Sequence, residues 1–175
     1  MKILETERLI LREIDETDDV FMLDLLNQPS FIKYIGDRNV RDLEQAREFI
    51  ETRYRKSYAD YGFGLYAVEL KIPDSKDQNP VIGICGFVKR DTLPDADIGF
   101  AFLPQFERQG YALESAKAVM KYGEEKLNLK RVLAITTQNN ESSGRLLEKL
   151  GFKFESLINQ PHDAEELKLF SWIAV

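Results

Sequence analysis

Hydrophobic and polar residues follow two different periods along this chain. Apolar runs that are continuous or alternating, and rich in β-branched and aromatic residues, indicate strands, whereas apolar residues that recur every three or four positions indicate helices. The strand pattern occurs at residues 3–13, 65–72, 81–89, 97–103, 131–137, 152–157 and 167–175. The helical pattern occurs in a segment capped by Asp15 or Thr17 and at residues 42–58, 112–127 and 141–150.

The order of these elements predicts the fold class. One strand, two helices, three strands and then alternating helices and strands suit a mixed sheet covered by helices on both faces, an α/β (α+β) architecture. The polar segment 73–80 reads as a hairpin connection within the central strands. With 175 residues, the chain is expected to form one domain, residues 1–175.

The junction at residues 104–112 carries the most information about chemistry. The strand pattern stops at Pro104 and the helical pattern begins after Gly110. The first turn of a helix has backbone N–H groups without internal acceptors, and the helix dipole adds partial positive charge there. The junction is therefore expected to bind a phosphate or a pyrophosphate.

Composition and charge limit the class of protein. A hydrophobic content of 43% and a charged content of 31% are ordinary for a soluble globular protein. No apolar run approaches the roughly 18 residues of a membrane helix. The net charge of −6 argues against a nucleic-acid partner and weakly favours a cationic acceptor such as an amine. The absence of a signal core and the single cysteine, Cys85, predict a cytoplasmic protein without membrane association.

Three segments resemble those of the GNAT superfamily of N-acetyltransferases. Residues 107–112 are similar to the family's acyl-CoA-binding turn, whose pattern is Arg/Gln-x-x-Gly-x-Gly/Ala. Glu107 differs from this pattern at the first position. Residues 140–152 are similar to the segment Asn-Glu-x-Ser…Leu-Glu-Lys-Leu-Gly-Phe, and residues 4–12 to the opening strand Thr-x-Arg-Leu-x-Leu-Arg. The resemblance is closest to the ribosomal-protein N-acetyltransferase branch and implies a mixed, mostly antiparallel sheet.

The resemblance also implies acetyl-CoA as co-substrate and a set of residues that hold it. The main chain of Phe102 and Leu103 is expected to pair with the pantetheine arm like an added strand. Asn140 is expected to orient the pantetheine amide, a role compatible with its alternative reading as a helix N-cap. Ser143 is expected to lie near the thiol. The amides expected to bind the pyrophosphate are those of Arg108, Gln109, Gly110, Tyr111 and Ala112.

The resemblance places the proton-transfer groups as well. Asp97 matches the acidic residue of the family strand Glu-Ile-Gly-Tyr and is expected to act as the base, directly or through water. The alternative is an ordinary exposed acid of a hairpin turn. Leu147 stands where many members carry a tyrosine that protonates the thiolate, so Ser143 or a water is expected to replace it. Cys85 is expected in the core and His162 at the surface, and no metal motif is present.

The predicted reaction is acetyl transfer to a primary amine by direct attack in a ternary complex. The candidate acceptors are a protein N-terminus, a polyamine, an amino sugar or a small metabolite. By resemblance, the acceptor site is expected to be lined by Phe31, Tyr34 and Tyr61. A homodimer is compatible with the resemblance. The alternative function is a non-catalytic acyl-CoA-binding or sensor domain of the same fold, which Glu107 and the missing tyrosine favour.

Overall fold

Eight strands form one sheet in the computed structural model of the protein, which describes residues 1–74, 76 and 78–175. The strands are β1 Lys2–Glu5, β2 Leu9–Glu13, β3 Leu65–Leu70, β4 Val81–Val88, β5 Asp97–Phe102, β6 Arg131–Thr137, β7 Lys153–Ile158 and β8 Leu167–Ile173. The helices are α1 Asp19–Leu26, α2 Pro29–Tyr34, α3 Leu43–Phe49, α4 Lys56–Tyr61, α5 Tyr111–Glu125 and α6 Glu141–Lys149. A π-helical turn, Ile50–Arg55, joins α3 to α4.

The strand order in the sheet is β1-β2-β3-β4-β5-β6-β8-β7. Neighbouring strands are antiparallel except β5 and β6, which run parallel. The α/β class and the mixed, mostly antiparallel sheet are thus confirmed. The segment 73–80 connects the antiparallel strands β3 and β4, as predicted, although Ser75 and Asp77 within it lie outside the described residues.

Helices cover both faces of this sheet. On the α5–α6 face, Ile98 and Phe102 of β5 pack in one buried cluster with Val119 of α5 and Leu147 of α6. On the α1–α4 face, a second buried cluster combines strand residues with α1, α2, α3 and the π turn. Its members include Met22, Phe31, Ala46, Ile50, Tyr54, Ala67, Ile84 and Leu103. Ala101 of β5 packs against this second cluster, so residues of β5 alternate between two separate cores, as the strand period of two requires.

The structure corrects the predicted strand at residues 3–13. The chain turns between β1 and β2, where Thr6 N–H donates to the Leu9 carbonyl at 2.9 Å and Leu9 N–H donates to Thr6 Oγ1 at 3.0 Å. The threonine hydroxyl thus supplies a turn contact that the hydrophobic pattern does not reveal.

The helical region before β3 also differs from the prediction. The predicted helix 42–58 continues to Tyr61 and contains the π turn, and Asp15 caps a 3₁₀ turn, Glu16–Asp18, that precedes α1. The six-residue helix α2 was not predicted, because it is too short to show a helical period.

Candidate active site

The separation of β5 from β6 opens a cleft in the middle of the sheet. Within the described residues the two strands pair only at Asp97 and Leu133, where Leu133 N–H donates to the Ala96 carbonyl at 2.9 Å. Backbone groups of a strand point alternately to its two neighbours. Since Ala96 is directed at β6, the backbone groups of Phe100 and Phe102 are also directed into this β5–β6 cleft.

The end of β5 corrects one expectation. Leu103 N–H donates to the Ile82 carbonyl of β4 at 2.9 Å, and the Leu103 carbonyl accepts from Phe106 N–H at 3.0 Å. Leu103 is therefore bonded within the protein and directed away from the cleft. Of the two residues expected to pair with a pantetheine arm, Phe102 is the one whose main chain faces the cleft.

The connection between β5 and α5 presents a row of backbone N–H groups at the open end of the cleft. Arg108 and Gly110 have left-handed φ angles of 58° and 84°. No acceptor is found, anywhere in the described part of the chain, for the N–H groups of residues 108–113. These groups precede or begin α5, a helix of 15 residues whose dipole adds positive charge at this end. The turn therefore fits an anionic group such as a pyrophosphate.

Two residues from the start of the chain fix this turn. Arg8 Nε donates to Glu114 Oε2 at 2.6 Å, Arg8 Nη1 donates to the Gln109 carbonyl at 3.0 Å, and Thr6 Oγ1 donates to Glu114 Oε1 at 2.6 Å. The guanidinium of Arg8 also lies 4.5 Å from the centre of the Tyr111 ring. The sequence patterns at residues 4–12 and 107–112 are recognised separately, and neither pattern predicts the contacts of Arg8 with Gln109 and Glu114.

The start of α6 combines two of the predicted coenzyme residues. Asn140 Oδ1 accepts a hydrogen bond from Ser143 N–H at 3.3 Å, so Asn140 caps the helix. Ser143 is half-buried one turn into α6. Leu147, at the position of the missing tyrosine, is only 1% exposed and packs in the core. The cap is confirmed, and the contacts of Asn140 and Ser143 with a coenzyme stay predictions.

Two further hydroxyl groups lie at the end of β6. Thr136 Oγ1 and Thr137 Oγ1 are buried and have no hydrogen-bond partner among the described residues. Buried polar groups of folded proteins are normally hydrogen-bonded. Their position, where β6 has separated from β5, is compatible with a polar ligand in the cleft.

Asp97 is buried where the cleft closes. Its side chain is 1% exposed, and Arg90 Nε donates to its two carboxylate oxygens at 3.0 and 3.2 Å. Burial raises the pKa of Asp97 to about 6, although the positive charge of Arg90 opposes this shift. The reading of Asp97 as an exposed turn acid is wrong. A carboxyl group with a pKa near neutrality is suited to proton transfer.

Most of the sequence matches one known protein family. The family described as "Acetyltransferase (GNAT) domain" matches residues 8–153. The chain belongs to the GNAT acetyltransferase family. The matched residues begin at Arg8. They therefore include the turn between β5 and α5, which Arg8 contacts, and the strands β5 and β6 that form the cleft.

This GNAT acetyltransferase is similar to several known proteins over most of its length. An uncharacterized N-acetyltransferase, YoaA of Bacillus subtilis, is 32% identical over 90% of this chain and 86% of its own. The [ribosomal protein uS5]-alanine N-acetyltransferase of Escherichia coli is 26% identical over 87% of this chain and 78% of its own. The structure of RimL, a ribosomal L7/L12 alpha-N-protein acetyltransferase in complex with coenzyme A, has a TM-score of 0.80 and covers 99% of this chain and 98% of its own at 17% identity.

The three aromatic residues predicted to line the acceptor site of the GNAT fold lie in different environments. Phe31 is 6% exposed and belongs to the core of the α1–α4 face. Tyr34 is half-buried, with Lys33 Nζ 4.9 Å from its ring centre. Tyr61 is 47% exposed and stacks on Phe63 with 6.0 Å between ring centres. Contact with an acceptor stays a prediction for all three.

Two other residues with reactive side chains, Cys85 and His162, lie in the core and at the surface, as predicted from the sequence. Cys85 is fully buried, and burial raises the pKa of its thiol to about 12. His162 is exposed. Across the described residues, no group of three His, Cys, Asp or Glu side chains could hold a metal ion, and no helix is long and apolar enough to cross a membrane.

Proposed function

We propose that this acetyltransferase transfers the acetyl group of acetyl-CoA to a primary amine by direct attack in a ternary complex. The observation that carries the proposal is the β5–β6 cleft, with the free N–H groups of residues 108–113 at its open end and Asp97 where it closes. A long co-substrate bound along the cleft would bring a phosphate group and a reacting carbon to opposite ends of one site. The amine would approach from the α1–α4 face.

Acetyl-CoA supplies an activated thioester, and the chain holds its non-reacting parts. The amides of Arg108, Gln109, Gly110, Tyr111 and Ala112 would bind the pyrophosphate. The main chain of Phe102 would pair with the pantetheine arm, and Asn140 would offer its side-chain amide nitrogen while its oxygen caps α6. Thr136 and Thr137 are two further hydroxyl groups available to the ligand. Such positioning lowers the barrier by replacing a bimolecular encounter with a fixed geometry.

The proton of the acceptor ammonium would pass to Asp97, directly or through water. Asp97 lies an even number of residues from Ala101 and Leu103, which pack on the α1–α4 face, so its carboxylate would face an amine that approaches from this side. A pKa of about 6 keeps most of this group ionised at neutral pH while making it a better proton acceptor than an ordinary aspartate.

The departing thiolate would take a proton from Ser143 or from water. Leu147 offers no donor and is buried in the core, so no tyrosine-like acid is present at that position. A thiol is much more acidic than an alcohol, and its anion leaves without a strong acid.

The alternative is a non-catalytic acyl-CoA-binding domain of the same fold. The N-acetyltransferases among the relatives support the enzyme over the binding domain, and the similarity to a uS5-alanine N-acetyltransferase supports a protein N-terminus as one candidate acceptor. The homodimer expected from the resemblance is likewise kept as a proposal.

The test is a thiol-release assay with acetyl-CoA and a panel of amines, with the acetylated product identified by mass spectrometry. The proposal expects a product that carries one acetyl group on nitrogen and equals the released thiol in amount. Thiol release without any acetylated amine would indicate hydrolysis, and tight acetyl-CoA binding without turnover would favour the sensor domain.

A further inference from the structure

Thr136 is a buried polar residue whose hydroxyl is not bonded within the described part of the chain. The residue is only 8% exposed, and its Oγ1 has no hydrogen-bond partner among residues 1–74, 76 and 78–175. By contrast, the buried hydroxyl of Ser115 donates to the Ala112 carbonyl at 3.0 Å. Buried hydroxyl groups are normally hydrogen-bonded, because an unbonded one keeps the cost of its desolvation. A ligand that binds beside Thr136 would supply the missing acceptor.

Thr136 lies beside the inner part of the β5–β6 cleft. The two parallel strands pair at Asp97 and Leu133, and Thr136 is three residues beyond Leu133 on β6. At about 3.3 Å per residue, Thr136 is about 10 Å from the closing pair. Phe102, whose main chain would pair with the pantetheine arm, is five residues beyond Asp97 on β5. A ligand that runs from Phe102 towards Asp97 therefore passes Thr136 near its reacting end.

The side chain of Thr136 lies on the face of the sheet that α6 covers. Successive side chains of a strand point to opposite faces. Ala134 and Val132, two and four residues earlier on β6, pack in the buried cluster of the α5–α6 face together with Leu147 of α6. The amine would approach Asp97 from the α1–α4 face, so Thr136 lies on the side opposite to the amine.

The connection between β6 and α6 brings Thr136 close to the residues expected at the sulfur end of the coenzyme. Asn140 N–H donates to the Thr137 carbonyl at 3.1 Å, and Asn140 Oδ1 accepts from Ser143 N–H at 3.3 Å. These two bonds fix the first turn of α6 against the end of β6. Thr136 and Ser143 therefore flank the same part of the cleft.

We infer that the Thr136 hydroxyl donates a hydrogen bond to the sulfur of the coenzyme and stabilises the thiolate as it departs. The inference rests on the proposed function and adds a group that acts on its leaving group. In the transfer step, the amine nitrogen bonds to the thioester carbon, the carbon–sulfur bond breaks, and its electron pair stays on sulfur. The ammonium proton passes to Asp97. Thr136 keeps its own proton, and the thiolate then takes a proton from Ser143 or water to give free CoA.

This hydrogen bond would be stronger in the transition state than in the bound thioester. A neutral, doubly bonded-out sulfur is a weak acceptor, whereas a hydrogen bond to an ionised acceptor is about twice as strong as a neutral one. A donor already in place where the charge develops lowers the barrier of the reaction. Thr136 would therefore raise turnover more than it raises the affinity for acetyl-CoA.

Thr136→Val tests this role, since it replaces the hydroxyl by a methyl group of similar size. The variant is expected to lower kcat by about tenfold or more, while KM for acetyl-CoA changes by less than about threefold. Thr136→Ser, which keeps a hydroxyl, should retain most of the turnover. Thr52→Val is the control, because the exposed Thr52 hydroxyl donates to the Glu48 carbonyl at 2.8 Å, and it should keep the wild-type kcat.

Urea unfolding without ligand separates this role from a structural one. Because the described chain offers the hydroxyl no partner, Thr136→Val should have the same unfolding midpoint as the wild type or a higher one. A clearly lower midpoint would show that the hydroxyl is bonded within the folded chain, and it would overturn the inference.

Calorimetric titration with CoA and desulfo-CoA, which lacks the sulfur, tests the contact without turnover. At pH 8.5, where an ordinary thiol is about half ionised, the wild type should bind CoA about tenfold more tightly than desulfo-CoA, and Thr136→Val should bind both alike. The same ratio of affinities in both proteins would overturn the sulfur contact and leave acetyl transfer in place. If no amine is acetylated, a ratio that Thr136→Val abolishes supports the contact and contradicts only the transfer reaction. Failure of both compounds to bind would overturn both.

Discussion

Arg8 and Glu114 form an ion pair with an Nε–Oε2 distance of 2.6 Å although their positions in the chain differ by 106. Arg8 precedes β2 and Glu114 lies in the first turn of α5, so the pair fixes the start of that helix against the edge of the sheet. Arg8 also bonds the Gln109 carbonyl. The direction of the free N–H groups in the turn thus depends on a residue far away in sequence.

Glu114→Gln is expected to weaken both folding and coenzyme binding. The carboxylate accepts from Thr6, from the Arg8 main chain and from the Arg8 side chain, and hydrogen bonds to charged groups contribute about 1.5–3 kcal/mol. Because the pair is partly exposed, solvent screening reduces this contribution, and a loss of about 1 kcal/mol is expected in urea unfolding. Glu125→Gln, which removes an exposed partner of Lys121 on the same helix, should leave both properties unchanged.

The same pair predicts a dependence of stability on pH. Burial raises the pKa of Glu114, but the hydrogen bonds from Thr6 and Arg8 lower it more, and the net pKa is below the usual value. The contribution of the Glu114 carboxylate to stability is therefore present above the pKa of an unfolded glutamate, and it is lost as the pH falls through the pKa of Glu114 in the folded protein. Urea unfolding of wild type and Glu114→Gln should differ at neutral pH and converge in acid; a constant difference would argue against an ionised contact.

Gly110→Ala is expected to weaken acetyl-CoA binding about tenfold or more. The alanine must adopt a φ of 84°, which costs an L-residue roughly 1–2 kcal/mol, and its Cβ would lie 3.2 Å from Arg8 Nη2. Relief of this strain would rotate the turn. The control is Gly62→Ala, with a φ of 74° and no atom within 4 Å of the added Cβ. It should lose stability comparably but bind coenzyme normally, and equal binding by both variants would dismiss the turn as the pyrophosphate site.

Asp97→Asn is expected to lower turnover strongly while sparing coenzyme affinity. In the wild type, log kcat/KM should fall as the pH drops below about 6, since the base becomes protonated. The Asp97→Asn variant should not show this decrease of log kcat/KM at low pH. A variant with full activity would show that Asp97 serves only to hold Arg90.

The raised pKa of Asp97 also predicts the sign of its effect on folding. Burial penalises the ionised form, so the folded chain binds an extra proton between the ordinary aspartate pKa and about 6. The contribution of Asp97 to stability should therefore increase as the pH falls from 7 to 5, and Asp97→Asn should remove that increase. A profile that is identical in wild type and variant would contradict the burial of this carboxylate.

Gly86→Ala is expected to destabilise the sheet severely. The added Cβ would lie 2.1 Å from the Gly64 carbonyl oxygen and 2.8 Å from Leu65 Cα, both of which are backbone atoms that cannot rotate away. A loss of about 3 kcal/mol or more, or insoluble protein, is expected. Gly144→Ala is the contrast: its Cβ would meet Phe170 at 3.8 Å, and the change should stabilise α6 by about 0.5–1 kcal/mol. Similar melting curves for both variants would be incompatible with this packing.

The parts of the site that could be predicted from the sequence are local. Pro104 and Gly110 mark the end of a strand pattern and the start of a helical one, and Asn140 precedes another helix at capping distance. Each of these signals is contained within a few residues. The free amides at residues 108–113 and the Asn140 cap follow from such short-range rules.

The remaining parts depend on tertiary contacts that no local pattern contains. The Arg8–Glu114 pair required the hairpin of β1 and β2, whose turn is formed by a threonine rather than by glycine or proline. Asp97 follows a segment that resembles a hairpin turn in the sequence. Its burial and its contact with Arg90 appear only when β5 is packed in the sheet.

The most direct test of the account is calorimetric titration of the folded wild-type chain with acetyl-CoA and, separately, with S-acetylpantetheine, which lacks the pyrophosphate. The account predicts one binding site with an affinity on the order of micromolar for acetyl-CoA and at least about tenfold weaker binding of the truncated thioester. Equal affinity for both compounds, or no binding of acetyl-CoA, would contradict the assignment of the turn at residues 108–113 to the coenzyme.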